Sequence, residues 1–254
     1  MEIFYLIFFF VIGTIFGSFY NVVGYRLPKG ESIVYPPSHC PKCNHRLTAV
    51  ELIPILSYII QKGKCKHCKT KISMFYLIFE ALTGILFALA YLSYGLTPNL
   101  IIPLTFISVL VIIMISDYHY MIISDGVLIV FASILIVETI ILYGPIILLK
   151  HLLSGILAFF TMWGLKLLGD FLFKRESMGG GDIKLLGLFG LVIGYPMALF
   201  SIFLGAIIAL PISLITIKDN QSHIIPFGPF LALGAIIIVL TQLDLSVITN
   251  LLVK

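Results

Sequence analysis

Among the few carboxylates in or beside the apolar stretches of this chain, five are worth weighing: Glu80, Asp117, Asp125, Glu138 and Asp182. An ionised carboxyl in hydrocarbon is costly, so each one needs a partner or a function. Asp117 ends one apolar stretch, in Ser116-Asp117-Tyr118-His119, and Asp182 opens another, after Met178-Gly179-Gly180-Gly181. Two carboxyl groups in contact cannot both ionise cheaply; one keeps a proton and the pair titrates as a unit. The ionised member can take a proton from water while the protonated one polarises a peptide carbonyl, which is the chemistry of an aspartic protease. Taken singly, Asp182 has a plainer reading as an N-cap, and so does Asp125 in Ser124-Asp125-Gly126. Asp117 reads equally as an interfacial residue turned to water, and Glu138 as a residue paired near the outer face. Glu80 lies about two helical turns inside its stretch and is harder to dismiss.

A second constellation binds metal. Cys40-Pro41-Lys42-Cys43 and Cys65-Lys66-His67-Cys68 form two C-x2-C pairs separated by 21 residues. Each pair lets two thiolates reach one ion from a single turn, and four sulfurs complete the closed tetrahedral shell of a structural Zn²⁺. Such a shell leaves no position for water, so the metal folds the segment and does no chemistry. His39, His45 and His67 flank the cysteines and are read as solvated.

What must position these residues is a membrane bundle. The chain has 254 residues, 60% of them hydrophobic and 11% charged, and a mean hydropathy of +1.12, far from a soluble domain. Apolar stretches of about 17 to 22 residues recur along it, each long enough to cross a bilayer. They suggest eight spans, near 3–23, 74–94, 99–116, 126–143, 146–166, 183–195, 197–217 and 229–249. The sixth is short, and Gly194-Tyr195-Pro196 joins it to the seventh in a tight hairpin. Residues 1–24 are read as a retained first helix, since a basic n-region and a small-x-small cleavage site are both missing. The expected organisation is that helix, a zinc-ribbon-like insert over 25–73, and a transmembrane bundle over 74–254.

Charge orients the bundle. Nine of the sixteen Lys and Arg residues lie in 25–73, which the positive-inside rule places in the cytoplasm, with both termini outside. In that reducing compartment the cysteines favour metal over disulfides. The basic residues also suit a nucleic-acid patch, but a cytosolic loop beside a membrane is basic anyway, so no nucleic-acid partner is expected. Asp117 and Asp182 then fall at one depth, on the cytoplasmic face. Carboxylates at the bilayer centre and inverted repeats, the marks of a proton-coupled transporter, are not found in the sequence.

Several ordered motifs resemble the type IV prepilin peptidases, the bifunctional leader peptidases and N-methyltransferases. They are Phe16-Gly17-Ser18-Phe19-Tyr20-Asn21-Val22-Val23 with Tyr25-Arg26-Leu27-Pro28; Ser38-His39-Cys40-Pro41-Lys42-Cys43; Leu52-Ile53-Pro54-Ile55-Leu56-Ser57-Tyr58; Gly179-Gly180-Gly181-Asp182-Ile183-Lys184; and Ile225-Pro226-Phe227-Gly228-Pro229-Phe230. The resemblance spans nearly the whole chain. It implies that Asp182 is the aspartate of a G-x-G-D motif and Asp117 its catalytic partner, supported by Gly179, Gly181, Lys184, Asp125 and Glu80. It departs from the family at Ser124, where proline is usual, and at Phe75-Tyr76-Leu77, where an Arg-Tyr-Pro run is usual.

The implied activity is cleavage of the short basic leader from prepilin or pseudopilin substrates at the cytoplasmic face of the inner membrane. Type IV pilus and type II secretion systems are its setting. Methylation of the new N-terminus from S-adenosylmethionine is implied by the resemblance alone, since no G-x-G-x-x-G follows a strand. The competing expectation is a non-enzymatic membrane assembly factor whose zinc insert docks partner proteins. It explains the cysteines but not two aspartates at one depth.

Overall fold

The computed structural model describes residues 1–218 and 226–245. Ile225, residues 246–249 of the eighth expected span and Lys254 lie outside the described residues. The chain forms two compact units, Met1–Leu96 and Thr97–Lys254.

The first unit consists of α1 (Glu2–Arg26), an insert containing a short 3₁₀ turn (Ala49–Leu52) and α2 (Leu56–Ile60), and α3 (Met74–Tyr94). The third of these helices therefore packs with the first, whereas the sequence groups it with the helices that follow. Small residues explain the pairing. A Cβ on Gly13 would come within 2.8 Å of Gly84 Cα, and one on Gly84 within 2.9 Å of Phe10 O, so the two backbones approach as closely as bare glycine permits. Asn21, buried on α1, donates from Nδ2 to Tyr76 O on α3 at 3.3 Å.

The insert holds two isolated antiparallel bridges, His39 with Arg46 and Lys64 with Lys71, and no strand among the described residues. It is built from two matching turns. Cys40 N–H donates to His45 O at 2.9 Å and Asn44 N–H to Cys40 O at 2.9 Å; Cys65 N–H donates to Thr70 O at 2.8 Å and Lys69 N–H to Cys65 O at 3.0 Å. Both turns close through a left-handed residue, Asn44 at φ 54° and Lys69 at φ 61°.

The second unit contains α4 (Ile101–Tyr120), α5 (Asp125–Tyr143), α6 (Pro145–Phe173), α7 (Gly180–Ile193), α8 (Tyr195–Lys218) and α9 (Gly228–Thr241). At its centre is α4, whose Phe106, Ile107, Leu110, Ile113 and Ile115 are fully buried, as expected of a helix apolar all round. It packs against α5 and α9, and Phe106 meets Phe189 of α7 edge-on at 5.6 Å.

Helices occur at all eight expected positions, and among the described residues six are long and apolar enough to cross a membrane. The other two, α7 and α9, have 14 residues each; such a helix rises about 21 Å, short of the roughly 30 Å hydrocarbon core. The fifth expected span, 146–166, is the start of a 29-residue helix, because the chain meets no breaker before Lys174 turns left-handed at φ 51°. A single residue, Gly194 at φ 78°, joins α7 to α8 and makes the tight hairpin read from the sequence.

Candidate active site and metal centre

Asp117 lies in the last turn of α4 and is buried. Its Oδ2 accepts a hydrogen bond from Gly228 N–H at 3.1 Å. Gly228 is the first residue of α9, followed by Pro229, so the donor belongs to a helix N-terminus, where free amides and the helix dipole favour negative charge. A Cβ there would lie 2.6 Å from Asp117 Oδ2, so any larger residue would have to displace the carboxylate. Sequence reading assigned Gly228 no role; the signal was the Gly-Pro start of a helix within the 225–230 motif.

Asp182 is half-buried in the first turn of α7. The cap of α7 is Gly179, three residues before the position an N-cap reading of Asp182 needs. The glycines ahead of it differ in what they do. A Cβ on Gly181 would strike Ile123 Cβ at 2.9 Å, whereas one on Gly180 meets nothing within 4 Å. Gly181 thus lets α7 begin hard against the α4–α5 turn, next to the helix that carries Asp117.

Asp125 has a different place. The cap of α5 is Ser124, and Asp125 is the first helical residue, which corrects its N-cap reading by one position. Its exposed carboxylate pairs with Lys184 Nζ at 2.6 Å, tying α5 to α7. Such an exposed pair contributes at most about 1 kcal/mol; its value here is to hold the α7 start in register. The loop before Gly179 is also tied. Ser177 N–H and Oγ–H donate to Asp170 Oδ1 at 2.6 and 2.8 Å, and Lys166 Nζ donates to Glu176 at 3.2 Å. Glu138 accepts a bond from Thr105 Oγ at 2.6 Å, a pairing between α5 and α4.

Glu80 sits in the first unit, where Oε2 accepts a bond from Ile55 N–H at 2.8 Å. Ile55 has φ 61°, so this carboxylate holds a strained point of the insert against α3.

The four cysteine sulfurs converge. All lie within 4.8 Å of one another, with Cys40 Sγ to Cys68 Sγ at 3.8 Å and Cys43 Sγ to Cys65 Sγ at 3.9 Å. Four thiolates about 2.3 Å from one zinc would stand about 3.8 Å apart, so the residues present fit that ion. Hydrogen bonds from the Thr70 hydroxyl and backbone hold the Cys68 thiol down to about 6. Cys43, despite the His45 backbone donor, is pushed up to about 12 by burial and neighbouring sulfurs, a competition that a cation removes. His45 is half-exposed; it also stacks on His67 at 5.4 Å and contacts Glu51 at 3.3 Å. Glu51 is held down to about 2 by the Thr48 backbone N–H and hydroxyl, with His45 adding to the effect; Thr48 and Glu51 form a capping box.

Residues 11–94 match the family model of the bacterial peptidase A24 N-terminal domain, and residues 104–214 match that of the type IV leader peptidase family. The chain belongs to the type IV leader peptidase family. It is 37% identical over 242 residues to a prepilin leader peptidase/N-methyltransferase of Bacillus subtilis, covering 90% of this chain and 91% of the relative. A Vibrio cholerae protein of the same name is 30% identical over 254 residues, covering 94% and 97%. No solved structure is significantly similar to the chain. The two matched regions, 11–94 and 104–214, divide where the two compact units divide, at Leu96 and Thr97.

The glycine contacts generate a graded expectation. Gly228→Ala and Gly181→Ala shift a carboxylate or its helix, and kcat for the family's proteolytic reaction should drop by about a hundredfold; Gly180→Ala should stay within about twofold of the parent protein. Equal losses in all three, measured on folded protein in detergent, would contradict the geometry.

Proposed function

We propose that Asp117 and Asp182 are the dyad with which this peptidase removes the leader of a prepilin or pseudopilin. The observation that carries the reading is the placement of both carboxyls within one helical unit: Asp117 buried in the last turn of α4, and Asp182 in the first turn of α7, where Gly181 abuts Ile123 of the α4–α5 turn. Because Asp117 already accepts the Gly228 N–H, it suits the ionised role and takes a proton from the attacking water. Asp182 then donates its proton to the scissile carbonyl oxygen as the tetrahedral intermediate forms. The short α7 supports the assignment, since its glycine-led start can lie below the membrane surface only where it lines a water-filled cavity. Asp125 neutralises Lys184 and takes no proton in the reaction.

The substrate fits the setting. A pilin-type helix lying in the bilayer offers its basic leader junction at the membrane face. The loading of nine Lys and Arg residues into 25–73 supports a cytoplasmic insert and a dyad opening to the cytoplasm. The relatives' names include N-methyltransferase, and on that ground the same chain would methylate the new N-terminus, with S-adenosylmethionine supplying the methyl group. The metal of the insert is structural zinc, held by Cys40, Cys43, Cys65 and Cys68.

Two measurements test these assignments. Cleavage of a prepilin-type substrate in liposomes should fall by about a thousandfold or more in Asp117→Asn and in Asp182→Asn, and by less than about tenfold in Asp125→Asn, with all three folded. Normal cleavage by the Asp182→Asn protein would remove the dyad and leave the assembly-factor reading ahead. Separately, purified protein should carry about one zinc per chain, and Cys40→Ser with Cys65→Ser should lose it along with thermal stability of the insert; a metal-free protein of unchanged stability would refute the tetrathiolate site.

A further inference from the structure

The insert leaves a run of large apolar side chains uncovered. Val50, Leu52, Ile53, Leu56, Ile59 and Ile60 are each between 42% and 74% exposed, within a module too small to bury them. Directly after this run come Lys62, Lys64, Lys66, Lys69 and Lys71, all exposed. Across 25–73 there are nine basic residues and two acidic ones, Glu31 and Glu51, and Glu51 is buried. Apolar residues followed by an unopposed cationic stretch are complementary to an anionic bilayer surface.

A second observation fixes the depth. Ile55, in the middle of the apolar run, donates its N–H to Glu80 at 2.8 Å. Glu80 is the seventh residue of α3, about 9 Å along that helix from its start. Ser18 of α1 also bonds to this carboxylate. Two residues before Glu80, Ile78 is exposed on α3, so Ile55 is held beside an exposed apolar stretch of a helix long and apolar enough to cross a membrane. An element resting about 5–10 Å into the headgroup and acyl boundary sits beside such a stretch.

We propose that residues 50–60 form an in-plane element embedded in the surface of an anionic bilayer. Glu80 pins its backbone to α3, its apolar side chains enter the upper acyl layer, and the lysines at 62–71 sit on lipid headgroups. This role does not depend on the assignment of the aspartate dyad.

The test uses the full chain in liposomes containing phosphatidylglycerol. The chain has one tryptophan, Trp163; in a Trp163→Phe background a single reporter is placed by Ile60→Trp or, as a second site should the first not fold, Ile59→Trp. Lipids brominated close to the glycerol should quench either reporter by about twofold or more, lipids brominated near the chain ends should quench less, and aqueous acrylamide should have little effect. A Lys66→Trp control should show the reverse pattern. Acrylamide quenching at position 60 would mean that the run lies in water, and quenching by neither agent that protein covers it; both results overturn the proposal. Bromolipid quenching that is unchanged in vesicles without anionic lipid would overturn the lysine contribution.

Discussion

The second unit turns on two carboxyl groups, the proposed dyad, set at helix ends within an apolar bundle. Asp117 and Asp182 come from helices 65 residues apart in sequence, and a bundle that holds them together loses solvation for both charges. The structure offsets this with backbone. Gly228 presents the first amide of α9 to Asp117, and Asp182 lies in the first turn of α7, where the helix dipole favours a negative charge. Side-chain cations are directed elsewhere, for Lys184 is taken by Asp125. A carboxylate bonded to a full cation would be held as the anion, whereas one served by a single amide is still able to exchange a proton.

That requirement accounts for the glycines. Gly228 and Gly181 are the points at which α9 and the α4–α5 turn come into contact with the site, and in each case an added methyl group would meet its neighbour below 3.0 Å. Gly180, between the same helices, is open. The G-x-G-D pattern therefore encodes one close approach and one free position. The ties from Asp170 and Lys166 to Ser177 and Glu176 hold the preceding loop on α6 and limit how far the start of α7 can move. In the first unit the four sulfurs play the corresponding organising part, replacing a hydrophobic core that about 50 residues of loop cannot build.

Much of this was legible in the sequence because it depends on local spacing. The two C-x2-C pairs, the positions of the apolar helices, the tight turn at Gly194 and the aspartates at the ends of apolar stretches all survive translation into structure. What the sequence hid depends on contacts between distant segments. Nothing in Gly228 itself announces that its amide serves a carboxylate 111 positions earlier, and Glu80 gave no sign that its partner is the backbone of Ile55. The N-cap readings of Asp125 and Asp182 failed for a local reason: Ser124 and Gly179 already occupy those caps, and the aspartates fall in the first turn. The stacking of His45 on His67 was hidden because it arises only once the two cysteine turns face each other.

The most direct test of the shared-proton dyad is the pH dependence of kcat/KM for prepilin cleavage in sealed liposomes. One carboxylate that must be ionised and one that must keep its proton predict a bell, with an acidic limb and an alkaline limb that both belong to the pair. A rate that rises with pH and then holds a plateau across the alkaline range would contradict it, because no protonated carboxyl would then be needed to turn over substrate.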